Sequence, residues 1–375
     1  GGAPVSLLKL LSKLDVDSQA IFTEPGPVLR YASDLHIPTT VVAAGGALYW
    51  SAHARLNVRG IARFVRTFPN AVRTASRVLQ ASRPDVLHLN TSVLLAWAAA
   101  ARRERVPTVW VVREVLGGTW QARFIRNHAS RLVVVSNAVR ACFPPDADAR
   151  VVHNAVDLQE FTPRDGHAAR SDLGLLEEEP VVMVLGSVQR AKGHWLLLDA
   201  LAEMNTRPRL ALVTGGADAW YANTTRGRIK RALQMPLDNL DVLLRDARHK
   251  ALDRQIKVTG WRSDVPHVLS AADVVAFPSL APEGFGRPII EAMAMARPVV
   301  ATDIGPSREL LGADAGRLVP ADARLLAQQL DALLCAPRLR EQMGAAGRAR
   351  AEVLFGIDRQ VAAMAAIYRE AAGSA

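Results

Sequence analysis

A chain of 375 residues has room for two domains with full cores. With 50% hydrophobic residues it reads as globular rather than disordered. Two cysteines without metal-ligand spacing exclude a disulfide framework and a zinc site and fit a reducing cytoplasm. The longest apolar run, Val93 to Ala101, is too short to cross a bilayer, and no stretch reads as a signal peptide. Lys+Arg number 46 against 36 Asp+Glu, a net charge of +10, which points to an anionic partner such as a nucleotide or a phospholipid surface. No aromatic-interleaved basic motif is present, so nucleic acid is not expected as a partner.

The chain opens on Gly1-Gly2-Ala3, read as a turn, followed by a helical pattern of Leu7, Leu8, Leu11 and Leu14. Strand-like runs at Ser18–Phe22, Thr39–Val42, Asp85–Leu89, Thr108–Val112 and Leu132–Val135 follow. Helical stretches at Ile61–Gln80, expected to be broken or kinked at Pro69, and at Thr91–Arg103 lie between them. Such alternation predicts a parallel sheet covered on both faces. Strand C-termini in open parallel sheets point into the ligand crevice, which makes Arg113 and Glu114 candidates there. His88 either faces the same crevice or is a structural histidine. From Ser51 to Arg83 the chain carries Arg55, Arg59, Arg63, Arg66, Arg73, Arg77 and Arg83 and no acidic residue. Ile61, Phe64, Val65 and Phe68 share one helical face, and Arg59, Arg63 and Arg66 another. The pattern fits a helix lying on an anionic membrane, or one whose apolar stripe packs on the sheet.

The second half repeats the alternation, with strands at Pro180–Gly186, Leu210–Thr214, Ile256–Thr259, Ala272–Phe277, Pro298–Ala301 and Arg317–Pro320; Leu325–Ala372 is mostly helical. The first of these strands runs into Gly186-Ser187-Val188-Gln189-Arg190-Ala191-Lys192-Gly193. Two glycines and two cations there suit a diphosphate; a basic surface turn is the plainer reading. The loop has neither the dinucleotide glycine spacing nor a P-loop. In Pro282 to Met293, two glycines bracket Phe285, and Pro288 suits the first turn of a helix. Ile289, Ile290, Met293 and Ala294 then form its buried face. Glu283 and Glu291 can face one cleft beside exposed N–H groups, or one can complement the helix dipole while the other sits in water.

The run Ala271 to Leu311, AADVVAFPSLAPEGFGRPIIEAMAMARPVVATDIGPSRELL, resembles the nucleotide-sugar site of family 4 glycosyltransferases, retaining enzymes of the GT-B fold. The match includes the glutamate pair at its spacing, the preceding Ala-Asp-Val strand, and Asp-Ile-Gly followed by Glu309. RPDVLHLNTS and SRLVVVSNAVR resemble N-domain strands of that family, and Lys192-Gly193 its phosphate loop. Arg150–Asp157 with Phe161-Thr162-Pro163 resembles the linker into the second domain. Gly260-Trp261-Arg262-Ser263-Asp264-Val265 resembles the turn that meets the nucleotide base, where Trp261 either stacks on the base or fills the core. Phe355 to Tyr368 resembles the final helices. The likeness covers nearly the whole chain and is strongest from Val181 to Pro320.

The resemblance implies an α/β, GT-B architecture of two Rossmann-like parallel-sheet domains facing each other across a cleft. Residues 1–153 would bind the acceptor and 154–357 the nucleotide sugar, with 358–375 a helix returning to the first domain. In the family a glycine-rich turn such as Gly1-Gly2 follows a first strand, so that strand is expected to be missing here or to lie outside this sequence. By the same likeness Arg190, Lys192 and Glu283 are catalytic. Gly2, Gly186, Ser187, Asp264, Gly284, Phe285, Gly286 and Glu291 bind the donor, and His88, Arg113 and Glu114 lie on the acceptor side. Two departures stand out. Many relatives carry Arg where Ser187 stands, and many place a His where Val111, Val112, Arg113 and Glu114 lie.

The function implied is retaining transfer of a sugar from a nucleoside-diphosphate sugar to an acceptor hydroxyl, in glycolipid or cell-surface polysaccharide synthesis. No cofactor and no metal are expected. The acceptor would be a sugar, a lipid-linked or a small molecule, and the enzyme cytoplasmic and peripheral on the inner membrane face through Arg55–Arg83. The departures leave two alternatives: a non-catalytic sugar-nucleotide binding protein, or another GT-B enzyme such as a nucleotide-sugar epimerase.

Overall fold

The computed structural model describes residues 2–26, 28–42, 58–214 and 238–373. The chain forms two compact units. One takes in Gly1–Ala155, Glu283–Phe285 and Phe355–Ala375, the other Val156–Pro282 and Gly286–Leu354. Arg55, part of the basic run, lies outside the described residues.

In the first unit β1 (Ala20–Phe22) pairs with β2 (Thr39–Val41). A separate sheet holds β3 (Leu87–Leu89), β4 (Thr108–Val112), β5 (Arg131–Val134) and β6 (Ala149–Val151), in that order. Every pairing is parallel. The central strand β4 is buried at all five residues, as a strand covered on both faces must be. β6 overlaps the start of the segment read as a linker, Arg150–Asp157. It is an edge strand with no fully buried residue, so it lacks the apolar run that marks the others. Gly2 also departs from expectation: it belongs to the helix Gly2–Leu11 and not to a turn.

The helix Val58–Ser82 runs unbroken through Pro69. Proline removes one ladder bond there, and both Pro69 and Val65 lie on exposed turns where water can satisfy the freed carbonyl. Beyond Pro69 the helix buries Ala71, Ala75, Ser76 and Leu79, and it packs beside the helix Leu95–Glu104. The C-terminal helix Ile357–Ala372 lies against β4, and its Glu370 pairs with Arg131 at 3.3 Å and Arg150 at 2.8 Å.

The second unit holds β7 (Val181–Leu185), β8 (Arg209–Val213), β9 (Ile256–Val258), β10 (Val274–Phe277), β11 (Val299–Thr302) and β12 (Gly316–Val319). Their spatial order is β12-β11-β10-β7-β8-β9, all parallel. From β7 the chain builds outward through β8 and β9, then crosses back to β10 and builds the other way. The loops after β7 and β10 therefore diverge from one topological switch point, where open α/β sheets bind ligands.

His194, only 2% exposed, opens the helix His194–Glu203, with Nδ1 3.3 Å from the Gln189 carbonyl. Burial first, then the Lys192 charge, lowers its pKa from 6.5 to about 4. The unfolded chain takes up this proton as pH falls through 6.5, whereas the folded chain resists until about 4. Stability is therefore lost across that window, by up to about 3 kcal/mol from this group. Denaturant unfolding at pH about 7, 5.5 and 4 should show the loss, and His194→Leu should lessen its slope without abolishing it, because burial lowers the pKa of His88 to about 4 as well. Equal slopes in the two proteins would remove His194 as the cause.

Candidate active site

The loop after β7 is shaped by contact with the loop after β10. Gly193 has φ +70°, and a Cβ there would lie 1.7 Å from the Pro278 carbonyl oxygen, so no side chain fits. The Leu280 N–H donates to the Ala191 carbonyl at 2.8 Å, and the Ala281 N–H and Ser279 hydroxyl reach the same oxygen at 3.2 and 3.3 Å. The turn Arg190–Lys192 is thereby held with both cations on it. Lys192 Nζ lies 3.3 Å from the position of a Cβ on Gly186. The Arg190 guanidinium lies over the Trp195 ring, 4.3 Å from its centroid, and Trp195 Nε1 donates to Asp246 at 2.8 Å. Ser187, beside them, accepts from Gln189 Nε2 at 3.0 Å.

Beyond β10, Gly286 caps the helix Arg287–Ala294, with Pro288 in its first turn. Ile289, Ile290, Met293 and Ala294 are buried, as the periodicity requires. Glu291 is only 7% exposed and takes a hydrogen bond from Arg287 at 2.6 Å, one helical turn back. Asp264 is tied elsewhere. Arg262 grips it at 2.6 and 2.8 Å and reaches Asp172 at 2.7 Å. The pairing with Arg262 lowers the Asp264 pKa. Asp172, Asp264 and His267 bring ligand-type atoms together, but Arg262 already places a cation between the two carboxylates. Trp261 beside them is 79% exposed, which rules out the core reading of this ring and leaves its face open for stacking.

In the first unit a second group of residues gathers past the ends of β3 and β4. A Cβ on Gly284 would lie 1.7 Å from the Arg113 carbonyl oxygen and 3.2 Å from Glu114 Cα. Glycine alone lets Glu283-Gly284 run against that strand end. The Ser136 hydroxyl donates to the Gly284 carbonyl at 2.6 Å. Phe285 is buried with His153 and Phe355, ring centroids 5.9 and 6.2 Å away. The Glu114 carboxylate accepts from the backbone N–H of Ser92 at 3.2 Å and of Arg113 at 3.3 Å, and from the Thr91 hydroxyl.

Arg113 donates from Nε to Asn90 Oδ1 at 2.7 Å, and from its terminal nitrogen to Asn154 Oδ1. His88 Nδ1 lies 2.7 Å from the Tyr368 hydroxyl. Burial first, then the Arg113 charge, lowers the His88 pKa to about 4, so the ring is neutral near pH 7. The sequence pattern did not single out Asn90, Asn154, Ser136, Trp195 or Tyr368 for the site. Asn90 and Asn154 lie inside the runs RPDVLHLNTS and Arg150–Asp157, whereas Tyr368 reaches His88 from the far end of the chain.

Known proteins resemble this chain over both units. A family model described as "Glycosyl transferases group 1" matches residues 167–350, and "Glycosyltransferase Family 4" matches residues 6–160. The D-inositol 3-phosphate glycosyltransferase of Segniliparus rotundus is 36% identical over 210 residues, 54% of this chain and 42% of that protein. The protein of the same name from Mycobacterium marinum is 32% identical over 231 residues, 60% of this chain and 45% of that one. The chain thus spans less than half the length of either relative. In fold it is similar to Anabaena HepE, solved with UDP and glucose, with a TM-score of 0.78 at 22% identity over 98% of this chain and 95% of that one. The sucrose-phosphate synthase of Thermosynechococcus elongatus has a TM-score of 0.74 at 20% identity, covering 99% and 93%. The two family matches take in the six strands described in each unit, and the chain belongs to the group 1 and family 4 glycosyltransferases of the GT-B fold.

Proposed function

We propose that this glycosyltransferase moves a sugar, with retention of anomeric configuration and without a metal, from a nucleoside-diphosphate sugar to an acceptor hydroxyl. The observation that carries this reading is the loop after β7, which holds Arg190 and Lys192 at the switch point of the second sheet. The difficult event is departure of an anionic diphosphate while positive charge grows on the sugar ring. Fixed cations and N–H dipoles at the leaving group lower that barrier directly. In this reading Lys192, near Gly186, and Arg190, stacked on Trp195, supply those cations, with Arg190 providing the charge that Ser187 lacks. Glu283 accepts from sugar hydroxyls, and the carboxylate of Glu291 from the ribose. The bond from C1 to the diphosphate oxygen breaks as a bond from C1 to the acceptor oxygen forms on the same face. The acceptor proton passes to the departing phosphate, so no carboxylate nucleophile is needed.

The first probe is a panel of nucleotide sugars that includes UDP-glucose, the ligand of the HepE complex, with D-inositol 3-phosphate among the acceptors. Product formation supports the proposal. Donor binding without product would favour a non-catalytic binding protein, and free sugar released without an acceptor would favour an epimerase-type reaction. In an active pairing, Lys192→Ala should lower kcat about 100-fold with little change in KM, because its charge matters most as the diphosphate leaves. An unchanged kcat would take Lys192 out of the site.

The acceptor or its surroundings are proposed to include an anionic membrane surface. No helix among the described residues is long and apolar enough to cross a membrane. In the helix Val58–Ser82, however, no residue from Arg59 to Asn70 is buried, and Ile61 and Val65 stand 41% and 65% exposed beside Arg59, Arg63 and Arg66. That exposure supports the membrane reading over packing on the sheet. Each arginine near an anionic surface would add about 1 kcal/mol. Co-sedimentation should show binding to phosphatidylserine vesicles that falls at high salt, and little to neutral phosphatidylcholine vesicles. Equal binding to both, or none at low salt, would point to a soluble acceptor.

A further inference from the structure

The hydrogen-bonded row that ends at Arg113 begins on the C-terminal helix. Arg113 Nε can only donate and the Ala3 carbonyl can only accept, so the Asn90 amide has one orientation. Its Oδ1 faces Arg113 Nε at 2.7 Å, and its Nδ2 donates to the Ala3 carbonyl at 3.0 Å. His88 Nε2 lies 3.3 Å from that same Oδ1 and therefore carries a hydrogen. A neutral imidazole protonated on Nε2 has only a lone pair on Nδ1. The group facing that lone pair is the Tyr368 hydroxyl at 2.7 Å, which must donate. Each bond in the row sets the direction of the next. Burial raises the Tyr368 pKa and lowers that of His88 to about 4, so neither ring changes charge near neutral pH.

We propose that Tyr368 is a positioning residue. By donating to His88 Nδ1 it locks the Nε2–H tautomer, and through Asn90 it sets the direction in which Arg113 is presented past β4. The relay links residues 280 positions apart, Tyr368 and His88, yet it is not the helix's sole tether, because Glu370 independently pairs with Arg131 and Arg150. Removing one hydroxyl should therefore disturb the row without undocking the helix. That Arg113 then meets an acceptor rests on the function proposed above; the relay itself does not.

Long-range proton–nitrogen spectra of the full chain read the relay without any substrate. The expected wild-type pattern at His88 is the Nε2–H tautomer. In Tyr368→Phe the Nδ1 resonance should shift, and Arg113 Nε–H should exchange with solvent about tenfold faster, the worth of roughly one hydrogen bond. Amide protection along Ile357–Ala372 should hold. A wild-type Nδ1–H tautomer, or unchanged Arg113 exchange in the variant, overturns the proposal. If helix protection also falls, His88→Leu, which keeps Tyr368, replaces the variant: faster exchange at Arg113 then supports the relay, and unchanged exchange overturns it. Transfer assays separate the two claims. A disrupted relay with the acceptor KM unaltered leaves the positioning role standing and removes Arg113 from the acceptor site.

Discussion

The second unit depends on one close approach, Gly193 against the Pro278 carbonyl. A parallel sheet whose strand order reverses leaves a crevice between two diverging loops, and those loops must be fixed if charge is to be held there. Gly193 permits the contact because it has no side chain, and three donors converging on the Ala191 carbonyl then pin the turn from the other loop. Arg190 and Lys192 are carried on that turn, so their placement is a consequence of backbone packing rather than of side-chain reach. Under the proposed function, cations fixed before the reaction would need little reorganisation when a dianion forms beside them.

The first unit solves a different problem. It has to present polar groups at the end of a fully buried strand, where each unpaired donor or acceptor would cost about 1–3 kcal/mol. Glu114 is satisfied by two backbone N–H groups and a hydroxyl, and Arg113 by two asparagines. Glu283–Phe285 joins the same unit although the residues on either side of it belong to the other. Gly284 makes that possible by fitting where any side chain would strike the Arg113 carbonyl, while Phe285 is held among aromatic rings.

What was legible in the sequence follows from which signals are local. β4 and β7 are continuous apolar runs, and the helix after Gly286 announces itself through Pro288 and its buried face. β6 escaped because an edge strand buries little, and Pro69 does not break its helix because an exposed turn tolerates a lost ladder bond. Trp261 shows the limit of composition: an aromatic ring beside a glycine turn reads equally well as core or as ligand surface, and only its exposure decides. The Tyr368–His88 and Trp195–Arg190 contacts depend on tertiary or side-chain geometry that no spacing rule encodes.

The central claim is that the diphosphate leaves toward the cations of the β7 loop while the acceptor attacks from the same face. The anomeric configuration of freshly formed product, read by proton NMR from the coupling between the first two sugar hydrogens, tests this most directly. An α-linked nucleotide sugar such as UDP-glucose should yield an α-linked product. A β-linked product would contradict the account, because it requires attack from the opposite face and a separate base to take the acceptor proton.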